Sequence, residues 1–493
     1  MKPNILFIMT DQHHASHMGC AGHPQALTPH MDRLAAMGTR CSNAYTQNPI
    51  CLPSRVSLLS GQYCQNHGFY GNHAPSPDHL PTFFRHFKEQ GYRTALIGKA
   101  HLPSEPGMWG AADLDTYLDT PHYRDYIRAK GQEPDHNGHP EFDFRMINDA
   151  RPSELSFEDS FEGYCVARCR EFILGSKEQP FCIELSFNRP HHNLVPAQEF
   201  WDAYPDDLDM PETWKQDPSL RPPHFRNMVT HTQDELEGVF EPKENLAWQQ
   251  RNWKAYLACI SHSDHAVGQI LDALEESGKL DNTYIIYGAD HGGYHHNHGI
   301  VEKAPGICSD AVCKVPMIWA GPGLPQGSLC SALIENIDLA PSIADLAGLP
   351  EMDWVDGYSV KPLLLGEQDS LREEAVTENV RSKAIRWQNW RFVHYPRGMF
   401  GDEEAGELYD LEQDPLEERN LYFEAAFQEI VQEGRRRLLE WLIRTRRFVC
   451  HHNSGHPAHG KQARDGFARR EASPDRVIEE ANRDQKVWML NYI

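Results

Sequence analysis

The sequence has no excess of positive charge. Its 493 residues carry 47 Lys and Arg against 71 Asp and Glu, a formal net charge of −24. That balance excludes a nucleic-acid backbone as the main partner, because phosphate binding needs a basic face. A small anionic substrate stays open, since a few cations and His residues can line one pocket of an acidic protein. No run approaches the ~18 apolar residues of a membrane span, so no membrane partner is expected. The opening MKPNILFIMTDQ has an apolar run too short for a signal peptide and no small-residue cleavage site, so no export signal is expected. The 12 Cys fall singly, without C-x-x-C pairs. Together these predict reduced thiols in a cytoplasmic protein. There is no internal repeat, and 40% hydrophobic with 24% charged residues excludes wholesale disorder.

What is present is an alternation of short apolar runs with helical spacings. Asn4–Met9, Thr94–Ile97, Phe181–Phe187, Thr283–Tyr287 and Val315–Trp319 read as buried strands. Leu80–Gln90 and Trp253–Leu274 carry helical spacing, the second with Tyr256, Leu257, Ile260, Val267, Ile270 and Leu271 as its apolar stripe. The pattern predicts an α/β fold, a sheet with helices on both faces. Two stretches without clear period, about 105–160 and 202–245, read as elaborated loops over one face of the sheet. After Gly366 the style changes: Glu407–Leu411 reads as strand and turn, and Ala425–Arg446 as a long amphipathic helix with a basic end. A boundary near residue 367 divides an α/β domain (1–367) from a C-terminal subdomain (368–493) with a small sheet, the long helix and a polar tail. The tail, from about His451, reads as a segment that wraps a partner subunit in a homo-oligomer.

Four groups of residues carry chemistry. The first is Cys51-Leu52-Pro53-Ser54-Arg55, followed by Leu59-Ser60-Gly61. A lone Cys before a helix start is usually a buried small hydrophobe, with Pro53 near the first turn. Four fixed positions of this kind occur by chance about 0.003 times in a chain of this length, so coincidence is the weaker account. The second group is Asp11-Gln12 and Asp290-His291, each pair ending an apolar strand. Such residues often only make turns. They can also meet at the carboxyl edge of one sheet, where α/β ligands bind. Oxygen donors there suit Ca²⁺ or Mg²⁺, and His291 admits Mn²⁺. The run DHGGYHHNH also admits zinc, which ranks lower. The third group is Lys99 and His101 after the Thr94–Ile97 strand, and the fourth is Arg189-Pro190-His191 with His298 and Lys303. Without further pattern these would read as solvated loop polarity.

The pattern exists. CLPSRVSLLSG matches the sulfatase signature C-x-P-S-R-x-x-x-[LM]-[ST]-G, and GYRTALIGKAHL resembles that family's G-Y-x-T-x-x-x-G-K-x-H-L. DHG-x₅-HG-x₃-K, from Asp290 to Lys303, and PH at 190–191 fit as well. Further matches lie at Asp338–Ser342, Asp356–Ser359 and Glu407–Pro415, so the resemblance spans about residues 3–421. The chain is identified on these motifs as a member of the formylglycine-dependent sulfatases of the alkaline phosphatase superfamily. The resemblance implies an alkaline-phosphatase-like three-layer sandwich with a large mixed, mostly parallel sheet and a smaller C-terminal α+β subdomain.

It also implies a function. Cys51 would be oxidised by a maturase to formylglycine, whose hydrated aldehyde attacks sulfate and holds it covalently. Asp11, Gln12, Asp290, His291 and position 51 would hold the cation, Ca²⁺ foremost with Mn²⁺ or Mg²⁺ open. Arg55 would steady the hydrated aldehyde. Lys99, His191, His298, Lys303 and Asn72 would contact substrate, with His191 or Lys303 assisting the leaving oxygen. His101 would take a proton from the second hydroxyl and so release sulfate. The expected substrate is a small sulfate monoester, such as a sulfated sugar. Gln12 and His291 also resemble the phosphonate monoester hydrolases, which keeps phosphonate monoester or phosphodiester hydrolysis as the alternative. Lys99 and His101 argue for sulfate. A non-catalytic binder of sulfated ligands would not require the maturation motif.

Overall fold

Every residue of Asn4–Thr10 is buried, and this segment is the centre of the fold. The structure, a computed structural model, describes residues 2–77, 80–104, 107–134, 150–226, 246–303 and 306–447. The large sheet has eight strands: β1 (Asn4–Thr10), β2 (Gly38–Tyr45), β3 (Arg93–Gly98), β4 (Thr116–Leu118), β5 (Phe181–Ser186), β6 (Thr283–Ala289), β7 (Lys314–Ala320) and β8 (Ser328–Glu335). Their order is β4-β3-β5-β1-β6-β7-β2-β8. β7 is antiparallel to both neighbours, and the other pairs are parallel. Parallel strands need crossovers, and the crossover helices cover both faces.

The two faces can be read from alternate residues of β1. Ile5, Phe7 and Met9 pack with Leu52, Val56 and Leu59 of the Cys51–Ser60 helix, and with Phe83, Phe87, Leu339 and Ile343. Leu6 and Ile8 point the other way, onto Met31 and Leu34, Phe161 and Ile173, and Val267, Ile270 and Leu271 of the Leu246–Glu276 helix. This is the period of two that a strand buried on both sides must show. The three layers follow from it.

A second, antiparallel sheet holds β9 (Glu374–Glu378), β10 (Lys383–Trp387), β11 (Trp390–His394) and β12 (Gly406–Asp410), in the order β12-β11-β10-β9. The Gln428–Thr445 helix lays Val431, Leu438 and Trp441 against Ile385, Phe392 and Leu408 of this sheet. Buried ion pairs tie it to the large sheet: Arg372 bonds Glu335, at the end of β8, and Asp338.

One expectation needs correction. The stretch 105–160 is not all loop. It contributes the edge strand β4 and the Thr120–Ala129 helix, whose Tyr123 and Ile127 are buried and whose N-terminus is capped by Asp119. Its few apolar residues hid the helical period. Residues 135–149 and 227–245, and the tail from His451, lie outside the described residues. Among the described residues the cysteines are free, and no helix is long and apolar enough to cross a membrane.

Candidate active site

Strand register brings the first residues together. β1 and β6 pair with Thr10 opposite Ala289, so the next residues, Asp11 and Asp290, lie side by side at the carboxyl edge. β3 and β5 pair with Gly98 opposite Ser186, which delivers Lys99 to the same edge. Gly98 has φ of +109°, and a Cβ there would lie 1.9 Å from the Ser186 carbonyl oxygen, so no other residue fits this close approach.

The Cys51–Ser60 helix supplies the centre of the site. Cys51 is its first residue, and Ser54 and Arg55 follow at i+3 and i+4, hence on the same face. Cys51 is 1% exposed. Its Sγ lies 3.1 Å from His291 Nε2 and 3.7 Å from Asp11 Oδ1. Ser54 Oγ donates to the Asp290 carbonyl at 2.5 Å. Arg55 lies beneath, its Nε 2.9 Å from Asp290 Oδ2 and its Nη2 3.0 Å from Asp11 Oδ2. Its Nη1 donates to the Lys99 carbonyl at 2.6 Å and to Ser186 Oγ at 2.9 Å. The C-terminal Gly61 of the signature closes the helix in the left-handed region, with φ of +68°. Signature spacing is thus helix geometry: nucleophile, brace and stop on one short helix.

The arrangement fits a divalent cation. One ligand atom each from Asp11, Cys51, Asp290 and His291 lies within 4.8 Å of all the others, and all four residues are buried. Arg55 occupies one oxygen of each carboxylate, so the Oδ1 atoms are the ones near His291 Nε2, at 4.0 Å for Asp11 and 3.9 Å for Asp290. His291 Nδ1 donates to the Gly292 carbonyl at 2.6 Å, so Nε2 is the nitrogen turned to the cluster, the one a metal would take in place of a proton. Burial alone would raise the Asp11 carboxyl, but the charges beside it, Lys99 first and Arg55 with it, hold it well below the usual carboxylate range. Gln12 lies beside this set: its Oε1 accepts from Lys303 Nζ at 3.1 Å, and its backbone N–H donates to Asp290 Oδ1 at 3.1 Å. The histidines after His291 do not form a second centre. Among the described residues the cluster around Cys51 is the one group of His, Cys, Asp and Glu with metal-like spacing.

Cations gather beside this cluster. Lys99 Nζ lies 2.7 Å from Asp11 Oδ2. Lys303 Nζ reaches Gln12 Oε1 at 3.1 Å, His191 Nε2 at 3.0 Å and Glu302 Oε1 at 3.1 Å. His191 Nδ1 faces the His192 carbonyl at 2.7 Å and must donate to it, so Nε2 accepts from Lys303 and the ring is neutral. Burial, with Lys303 and Lys99 nearby, pushes His191 well below the usual range, and burial with Lys99 and Arg55 does the same to His101. His101 has φ of +45°, and its Nδ1 is buried without a hydrogen-bond partner. Asn72 Oδ1 accepts the Leu52 backbone N–H at 3.3 Å, at the first turn of the Cys51 helix.

Two motif residues bond to neighbouring loops and helices. His298 bonds Gln216 and, at 3.2 Å, Arg221, which itself reaches Tyr409 of β12. These bonds hold its Nδ1 edge to the neighbouring loop. Arg189 pairs with buried Glu162 and holds the loop that carries His191. Sequence reading missed Glu302, which has no motif of its own, and Ser186 and Glu162, which look like ordinary strand and helix residues.

Known proteins match the chain over most of its length. The Sulfatase family profile covers residues 3–349, and the profile "N-sulphoglucosamine sulphohydrolase, C-terminal" covers 297–444. A choline-sulfatase of Rhizobium meliloti is 31% identical over 444 residues, spanning 85% of this chain and 82% of that protein. An N-acetylglucosamine-6-O-sulfatase of Bacteroides thetaiotaomicron is 28% identical, over 86% of this chain and 84% of its own length. A protein solved in complex with its substrate D-glucosamine-2-N,6-O-disulfate has a TM-score of 0.74 at 25% identity, covering 90% of this chain and 98% of that one. The phosphonate monoester hydrolase of Agrobacterium radiobacter shares the fold, with a TM-score of 0.75 at 20% identity over 90% of this chain and 96% of its own. The signature helix, the strand-edge carboxylates and these matches agree: the chain belongs to the sulfatase family, and its reaction is the hydrolysis of sulfate monoesters to an alcohol and inorganic sulfate.

Proposed function

We propose that Cys51 is matured to formylglycine, that the Asp11, Asp290 and His291 side chains hold Ca²⁺ beside it, and that the natural substrate is a sulfated sugar. The observation that carries this reading is the buried cluster that places Asp11, Asp290 and His291 around residue 51. Relatives named for sugar sulfates favour the substrate class. The same reading keeps the protein in the cytoplasm, acting as a homo-oligomer on small sulfated compounds.

When bound, the cation would polarise sulfate oxygens and favour the deprotonated form of a hydroxyl at position 51. The chain's own residues do the rest. Arg55 acts as a positioning residue, since it clamps Asp11 and Asp290 and ties them to the Lys99 carbonyl and Ser186 Oγ. Lys99 and Lys303 face the substrate's charge. Burial would lower the Lys303 ammonium, but Glu302, Cys51 and Asp11 together outweigh it and hold the group above its ordinary range. With His191 neutral and its lone pair turned to Lys303, the proton available to the departing oxygen sits on Lys303 Nζ. His101, kept neutral, is fit to accept a proton at the recycling step.

Mass spectrometry of the alkylated tryptic peptide from Cys41 to Arg55 tests the reading. Alkylation of Cys41 alone, with an aldehyde mass at position 51, is expected from a host with a maturase. Alkylation of both Cys would overturn the formylglycine mechanism.

A further inference from the structure

An ammonium has three N–H bonds, and those of Lys303 are all matched: Gln12 Oε1 at 3.1 Å, His191 Nε2 at 3.0 Å and Glu302 Oε1 at 3.1 Å. Two of these partners come from distant parts of the chain. The third is the preceding residue. Glu302 and Lys303 lie in a stretch that is neither helix nor strand, so no regular element aims the lysine. Both side chains are buried, at 4% and 6% exposure. A carboxylate this deep is held by its pairing. Its described ionic partners are Lys303 and, at 3.7 Å, His192 Nδ1, and its second oxygen is buried without a hydrogen-bond partner.

A carboxylate beside a sulfate pocket is costly for anion binding, because it repels the substrate. We propose that Glu302 is a positioning residue for the leaving-group step: it keeps the Lys303 ammonium at the point where the ester oxygen departs. This rests on the reading of Lys303 as proton donor. In that step an oxygen of the matured residue 51 forms its bond to sulfur as the sulfur–ester oxygen bond breaks, and the electron pair of the broken bond goes to the ester oxygen. That oxygen displaces one of the three acceptors of Lys303 Nζ and takes its proton, and a proton from solvent then restores the ammonium.

The test is a leaving-group series, with aryl sulfates from 4-nitrophenyl to phenyl turned over by the full-length parent, Glu302→Gln and Glu302→Asp. A merely structural role lowers every substrate alike. The positioning role makes the loss grow with leaving-group basicity. For Glu302→Gln we expect about tenfold loss of kcat with 4-nitrophenyl sulfate and more than about 10²-fold with phenyl sulfate. Its KM should be unchanged or lower, because a repelling charge is gone. Glu302→Asp should restore the parental dependence in part. The slope compares substrates within one preparation, so a partly folded variant still reports it. Parallel slopes for parent and Glu302→Gln would overturn the proposal while leaving the sulfatase reading intact. A parent that carries formylglycine and cation, yet releases no sulfate from any ester, would overturn both.

Discussion

Arg55 binds Asp11 and Asp290 through their Oδ2 atoms, so each carboxylate keeps its Oδ1 near His291. That division of oxygens makes a cation's effect measurable apart from activity. Ca²⁺ at a hundredfold excess over its Kd should stabilise the parent by about 2.7 kcal/mol, read as a rise in Tm. In Asp290→Asn the rise should vanish. A Ca²⁺-dependent Tm retained in that variant would move the site elsewhere. Cys51, Arg55, Asp11 and Asp290 could be read from the sequence because spacing along a helix and position after a strand dictate where they fall. Glu302 could not, since its importance comes from one contact with its neighbour's ammonium. His298 shows the converse: it fits the motif, and its ring is turned to Arg221 and Gln216.

Helices are joined to one another by single polar groups. Asp264, in the Leu246–Glu276 helix, accepts the backbone N–H groups of Met31 at 2.7 Å and His30 at 3.1 Å, and so caps the Pro29–Met37 helix from across the core. Burial pushes its carboxyl from 3.8 up to about 7. The folded state therefore holds this proton more tightly than the unfolded chain. Its contribution is full below pH 3.8 and is lost as pH rises toward about 7, by at most about 1.4 kcal/mol per unit. Asp264→Asn should flatten the fall in unfolding free energy across that window, measured by denaturant titration at several pH values. An identical fall in the variant would assign it to other groups. This cap is invisible in the sequence, because donor and acceptor are separated by 233 residues. The strands were visible: β1, β5 and β6 are buried on both faces and read as apolar runs. β4 and the Thr120–Ala129 helix sit at the sheet's edge, where half-buried polar residues blur the period.

The small sheet is fastened to the large one through charge as well as apolar packing. Arg372, 6% exposed, bonds Glu335 and Asp338, and Tyr63 donates to Glu335 at 2.6 Å. Arg372→Ala would leave two carboxylates buried together, and we expect a loss of about 3–5 kcal/mol in chemical denaturation. A loss below about 1 kcal/mol would mean that water reaches the pair. The sheet order has a consequence in time. Cys51 meets His291 across 240 residues of chain. At roughly 5–20 residues per second, synthesis leaves about 10–50 s between the two. During that interval the signature helix has no β6 edge to cover it. An enzyme that must touch the Cys51 side chain has its opening on the nascent chain, and the opening closes when the fold does.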